Sequence, residues 1–165
     1  MSPPQEEFLE IIYQHQALIH KVCKMYRDSP EDREDLFQEI TYQLWKAYPR
    51  FEGKSKVSSW MYRISLNTAM ASFRKAKPTE LTNLDELQHQ LPAENSVEQN
   101  PQEEFLFAAI RQLEPPERAI ISLYLADMNY AEMAEIMGIS ENYIGVRLNR
   151  IKNKLKKTLN EKSWV

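Results

Sequence analysis

The stretch from Met128 to Lys157 restricts the possible folds more than any other part of the chain. Tyr130, Met133, Ala134 and Met137 recur at i, i+3, i+4 and i+7, one apolar stripe of a short helix. Gly138 follows where a helix needs a left-handed residue to stop. Ser140 is placed to cap a second helix. That helix carries Ile144, Leu148, Ile151 and Leu155 on one face. Tyr143, Arg147, Arg150 and Lys154 share a neighbouring face. A small residue (Ala134), a turning one (Gly138) and a buried one (Ile144) let two helices cross as a helix-turn-helix. The segment is either a plain helical hairpin with a solvated basic face or a DNA-reading motif. Packing residues and cationic face occur together, which favours the second.

The rest of the chain points to the same class of fold. Only 3 glycines occur in 165 residues, and apolar residues recur at helical rather than alternating spacing. An all-α protein is expected, with one domain or two small ones. The single cysteine, Cys23, excludes an internal disulfide. No signal-peptide pattern and no membrane-length apolar run are visible, so a cytoplasmic protein without membrane insertion is expected.

A net charge of −3 is unexpected for a nucleic-acid binder, but its distribution is uneven. Residues 1–77 carry 12 Lys/Arg against 10 Asp/Glu, and residues 105–165 carry 9 against 7. Residues 78–104 carry 7 acids and no base. This middle segment also holds Pro78, Pro92 and Pro101 among Asn, Gln and Glu. It cannot bury enough apolar surface to offset its ordering entropy. The expected architecture is therefore two small helical domains, 1–77 and 105–165, joined by a flexible acidic linker, 78–104. Leu81, Leu84, Leu87 and Leu91 could form a brief helical turn within it.

The N-terminal domain reads as three helices. The first spans about Gln5 to Arg27. The second follows Ser29-Pro30, a good cap and a good first helical residue, and runs to about Tyr48, where Pro49 stops it. It has two stripes at 100° per residue: Leu36, Phe37, Ile40, Leu44 and Tyr48 for a core, and Asp35, Gln38, Glu39 and Tyr42 opposite. The second stripe is either an ordinary solvated face or a docking surface for a basic partner. A polar loop around Gly53 precedes a third helix, about Ser58 to Lys75. There Val57, Met61, Ile64 and Thr68 form one apolar face and Tyr62, Leu66, Ala69 and Phe73 another, so a sandwiched helix is expected. The remaining strip holds Arg63, Asn67, Met70 and Arg74. With Lys54, Ser55 and Lys56 in the loop and Lys75 and Lys77 beyond, it suits single-stranded DNA. The loop, residues 52–58, has room for an unstacked base. Trp60, Tyr62 and Phe73 are read as core.

Enzymatic function finds little support. His15, His20 and Cys23 share a helix, but a zinc site needs further ligands with suitable spacing. No phosphate-binding glycine loop or nucleophile motif occurs. No cofactor is expected.

Together these residues resemble the extracytoplasmic function (ECF) group of bacterial sigma factors. The N-terminal likeness rests on Glu34-Asp35-Leu36-Phe37-Gln38-Glu39, Arg50-Phe51, Ser59-Trp60-Met61-Tyr62-Arg63-Ile64 and Asn67. The C-terminal one rests on Leu113 to Arg118, Tyr130 to Gly138, and Arg147, Arg150 and Lys154-Leu155. The resemblance implies a protein that binds core RNA polymerase and directs it to promoter DNA, with an anti-sigma factor as a regulatory partner. Asp35, Leu36, Gln38 and Glu39 match the family's polymerase-docking positions. Lys54, Ser55, Lys56, Arg63, Ile64, Asn67, Arg74 and Lys75 fall where melted upstream DNA is held. Ser140, Tyr143, Arg147, Arg150 and Lys154 would meet duplex DNA through the recognition helix. Gly145, Glu141, Asn142 and Asn149 depart from the common pattern, which changes the expected promoter sequence but not the binding mode. Glycine at 145 should weaken the helix and allow close backbone approach to DNA. The competing functional class is a helix-turn-helix regulator with an N-terminal dimerisation or sensor domain, which leaves the Arg63/Asn67 strip without a role.

Overall fold

A computed structural model of the chain describes residues 3–72 and 100–161. Arg74, Lys75, Lys77, Phe73, His89 and the linker leucines lie outside the described residues. The expected all-α class holds: the described residues form α-helices and one 3₁₀ turn, with no strand among them. The chain divides into two units, Met1–Val97 and Glu98–Val165.

The first unit packs α1 (Pro3–Tyr26), α2 (Pro30–Ala47) and α3 (Val57–Ser72) against one another in all three pairings. Its core is apolar and dense. Phe8, Ile12, Ile19 and Val22 of α1, Leu36, Phe37, Ile40 and Leu44 of α2, and Met61, Leu66 and Ala69 of α3 are buried. Each fully buried large side chain contributes roughly 1.5–3 kcal/mol of transfer free energy. Ser29 caps α2 as expected, its Oγ accepting the Asp32 N–H at 3.1 Å. Pro49 ends that helix, and Tyr48–Arg50 tighten into a 3₁₀ turn. The α1–α2 corner is tied by arginines. Arg33 donates to the carbonyls of Arg27 and Asp28, each at 3.1 Å. Arg27 donates to the Tyr26 carbonyl at 2.8 Å and reaches Ser72 Oγ at the end of α3.

Two sequence expectations for this unit change. α3 is not sandwiched between two apolar faces. Met61, Tyr62, Ser65, Leu66 and Ala69 form one continuous buried face. Val57, Ile64 and Thr68 sit at its half-buried margin. Residues at i, i+1, i+4 and i+5 share one broad side of a helix, which a reading by separate stripes divides in two. Tyr48 is likewise half-buried rather than core.

The second unit contains α4 (Pro101–Ile110), α5 (Pro115–Leu125), α6 (Tyr130–Met137) and α7 (Glu141–Glu161). α7 packs against all three of the others. α4 starts inside the acidic segment, because Asn100 caps it through the Gln102 N–H at 3.0 Å and Pro101 takes the first turn. Arg118 of α5 closes the α4 C-terminus by donating to the carbonyls of Leu113 at 2.8 Å and Arg111 at 2.5 Å.

Candidate nucleic-acid and polymerase interfaces

On α2 the two stripes separate as expected. Leu36, at 3 % exposure, belongs to the core and supports the outer stripe from beneath. Asp35 is exposed; Gln38, Glu39 and Tyr42 are half-buried. Gln43 donates to Glu39 Oε1 at 3.2 Å, which orients that carboxylate along the helix. Lys46 stands over the Tyr42 ring at 5.3 Å and closes the stripe at its C-terminal end. The result is an outward-facing row of acid and amide acceptors on a rigid element.

The loop before α3 is held open from its base. Phe51 stacks on Trp60 at 4.6 Å between ring centroids, and Tyr48 lies at 6.4 Å from Trp60. Tyr48 continues to Phe8 at 5.4 Å and Trp45 at 6.5 Å, so an aromatic row joins the loop to the core. Trp60 is half-buried, so it is only partly the core residue expected. Above this base, Glu52, Gly53, Lys54, Ser55 and Lys56 are all exposed. Gly53 adopts a φ of +73°, a left-handed turn that other L-residues resist. Lys54 pairs with Glu52 at 2.9 Å. Arg63 and Asn67 are exposed on α3, with Ile64 and Met70 half-buried beside them. The described part of the polar strip thus shares one outer surface of its helix. Arg74 and Lys75 lie beyond the described residues.

The helix-turn-helix follows its local chemistry closely. Asn129 and Glu132 form a reciprocal capping box at the start of α6, with bonds of 2.8 and 3.2 Å. Gly138 stops the helix at φ +71° and donates to the Ala134 carbonyl at 2.8 Å. Ser140 Oγ accepts the Tyr143 N–H at 3.1 Å, as its capping role requires. Ile144, Leu148, Ile151 and Leu155 are all buried. The first helix differs from expectation. Only Met133 of its stripe is fully buried, and Tyr130 is 42 % exposed. Tyr130 instead lays its ring against Gly145, where an added Cβ would come within 3.3 Å of Cε2. The neighbour that a side chain at 145 would meet is thus this unit's own tyrosine.

On the outer face of α7, Arg147 donates to Tyr143 Oη at 3.2 Å and its guanidinium lies 5.6 Å from that ring. Arg150 is exposed. Val146, 42 % exposed between them, was not expected at the site because apolar residues read as core. Its displacement from the Ile144/Leu148/Ile151 stripe was the available signal. Lys154 stays exposed but is tethered: its Nζ is 2.7 Å from Oε2 of Glu117, a residue of α5 only 6 % exposed. Burial pushes the Glu117 carboxyl up. The Lys154 hydrogen bond, the Glu114 N–H and the charges of Lys154 and Arg147 outweigh it, leaving the group below the ordinary 4.5.

Among the described residues no cluster of His, Cys, Asp or Glu could hold a metal ion, and no helix is long and apolar enough to cross a membrane. The geometry defines a class: a helical protein with one acid–amide face and two cationic faces, one of them on a helix-turn-helix. Residues 11–79 match sigma-70 region 2, and residues 106–155 match sigma-70 region 4. The chain is similar to the ECF RNA polymerase sigma factor SigG of Mycobacterium tuberculosis, at 29% identity over 87% of this chain and 45% of that one. It is also similar to SigW of Bacillus subtilis, at 25% identity over 95% and 91%. It spans under half the length of SigG but most of SigW. Its fold is that of the sigma factor RpoE solved with the anti-sigma factor NepR from Bartonella quintana. That likeness has a TM-score of 0.70 at 20% identity and covers 94% of this chain and 98% of that one. CnrH, solved with the cytosolic domain of CnrY, shares the fold at a TM-score of 0.64 and 20% identity, over 96% and 91%. Through both regions the chain belongs to the sigma-70 family, and its relatives SigG and SigW are ECF factors.

Proposed function

We propose that this protein is an RNA polymerase sigma factor that brings the core enzyme to its promoters and opens them. The observation that carries this reading is the pairing, in one chain, of an acid–amide stripe on α2, fully exposed at Asp35 and half-buried at Gln38 and Glu39, with a cationic recognition helix, α7. Asp35, Gln38 and Glu39, supported by Leu36, dock on basic side chains of the polymerase. Lys54, Ser55, Lys56, Arg63, Ile64 and Asn67, continued by Arg74 and Lys75, hold unpaired bases of the upstream element. Stacking and pocket contacts of roughly 1–3 kcal/mol per base offset the few kcal/mol needed to extract one. Ser140, Tyr143, Arg147 and Arg150 enter the major groove of the farther element, with Lys154 on the same helix. Arg147, held by Tyr143, is suited to a guanine edge, and Val146 to a thymine methyl.

The domains act as region 2 (1–77) and region 4 (105–165), with the acidic segment 78–104 as a tether that sets their span. The protein works by binding and not by bond-making, in the cytoplasm where polymerase and DNA meet. An anti-sigma factor, as RpoE has in NepR, would control it by covering these surfaces. Run-off transcription with core polymerase on genomic fragments tests the reading. Discrete start sites dependent on this protein are expected, and no product above the core-alone background would overturn it.

A further inference from the structure

Glu117 has no place in the contacts just proposed, yet it joins two elements of the second unit. Its Oε1 accepts the Glu114 N–H at 3.1 Å and completes the N-terminal capping box of α5. Its Oε2 takes the Lys154 ammonium of α7 at 2.7 Å. Arg147 lies seven positions before Lys154, on the same side of α7, and its charge is also felt by the Glu117 carboxylate. A single buried acid is thus bonded to one cation of the recognition helix and within the electrostatic reach of a second, two turns away. Ile144, Leu148 and Ile151 fix the depth of α7 through non-directional packing. An ion pair with a defined donor and acceptor adds a directional restraint on its rotation about its own axis.

We propose that Glu117 is a positioning residue for promoter recognition. Through Lys154 it sets the roll of α7, and Lys154 therefore serves as an internal anchor instead of a phosphate contact. This rests on the reading of α7 as the DNA-reading helix. The physical reason is the asymmetry of the pair. Lys154 is 56% exposed in its side chain while that of Glu117 is 8% exposed. Transfer of Lys154 to a phosphate would leave the buried carboxylate with only the Glu114 N–H bonded to it, a loss that offsets the gain of one surface phosphate contact.

The test uses the full chain assembled with core polymerase, on a promoter identified by run-off mapping. Affinity is measured against salt and against a scrambled duplex. Arg150→Ala, which removes one exposed cation from the DNA-facing side of α7, is expected to lower the salt slope by about 0.9, the value of one neutralised phosphate. Lys154→Met and Glu117→Gln are expected to keep the wild-type slope and lose about tenfold in promoter-to-scrambled discrimination. Lys154→Arg should restore that discrimination. The double variant E117Q/K154M leaves no buried ion. Should either single variant unfold, it carries the test and is expected to behave as the singles do. A salt slope reduced in Lys154→Met, or tighter binding with a steeper slope in Glu117→Gln, would overturn the proposal, because Lys154 would then be a phosphate ligand that Glu117 withholds. If Arg147→Ala and Arg150→Ala alter neither slope nor affinity, the reading of α7 itself fails and the proposal falls with it.

Discussion

At Gly138 the backbone holds φ at +71°, and at Gly145 it is ordinary helix. The two glycines therefore answer to different constraints. Alanine at 138 must occupy the left-handed region, at a cost of about 1 kcal/mol. Gly138→Ala should lower the stability of the second unit by that amount, read as a lower denaturant midpoint with the slope unchanged. Alanine at 145 keeps its conformation and gains up to about 1 kcal/mol of helix propensity. Its Cβ would meet only the edge of Tyr130, a ring exposed enough to turn aside by a few tenths of an ångström. Gly145→Ala should therefore raise the midpoint, and a fall would mean that the Tyr130 ring is fixed. Asp127, at φ +61°, shows the same backbone demand met without glycine in the turn between α5 and α6. Aspartate tolerates that conformation better than most residues, so no glycine marked the turn in the sequence.

Between elements, two contacts govern how the surfaces are presented. The Phe51–Trp60 stack closes the base of the 52–56 loop, and aromatic pairs contribute about 0.5–1.5 kcal/mol beyond their burial. Phe51→Ala should leave polymerase binding intact and reduce permanganate reactivity of melted thymines at the promoter, because the loop loses its support. The α5–α7 clamp has a pH signature. Glu117 titrates below its ordinary 4.5 when folded, so its contribution is fully present above that value. It is lost as pH falls through the folded value. The second unit of the native chain should lose stability below about pH 4.5 more steeply than Glu117→Gln does, as thermal melts across pH 3–6 would record. Neither contact could be read from periodicity. Each joins residues distant in sequence, Lys154 to Glu117 most plainly, and helical spacing reports only on neighbours within an element.

For the whole molecule, the proposed activities reside on different elements and should separate genetically. Asp35→Arg reverses charge at an exposed position of α2 and should abolish assembly with core polymerase while the helical circular-dichroism spectrum persists. Arg150→Ala should leave assembly intact and weaken promoter occupancy. Loss of both activities in either variant would argue against this division of labour. Net charge conceals it. The basic positions of α7 and the α3 region are offset by an acidic connecting segment, so the electrostatic character of each surface is local.

Helix positions, caps and the buried stripe of α7 were legible in the sequence because they depend on residues within a few positions of one another. Ser29, Gly138 and Ser140 act through their own backbone neighbourhood, and Ile144, Leu148, Ile151 and Leu155 through the helical repeat. The acidic stripe of α2 was legible as a pattern, though not as a surface until Asp35 was found exposed. Tertiary packing alone decided that α3 buries one broad face, that Tyr130 lies beside Gly145, and that Lys154 pairs with a buried acid. The reason is common to all three. Which side chain fills a given space depends on the elements packed opposite it, and a one-dimensional repeat carries no information about them.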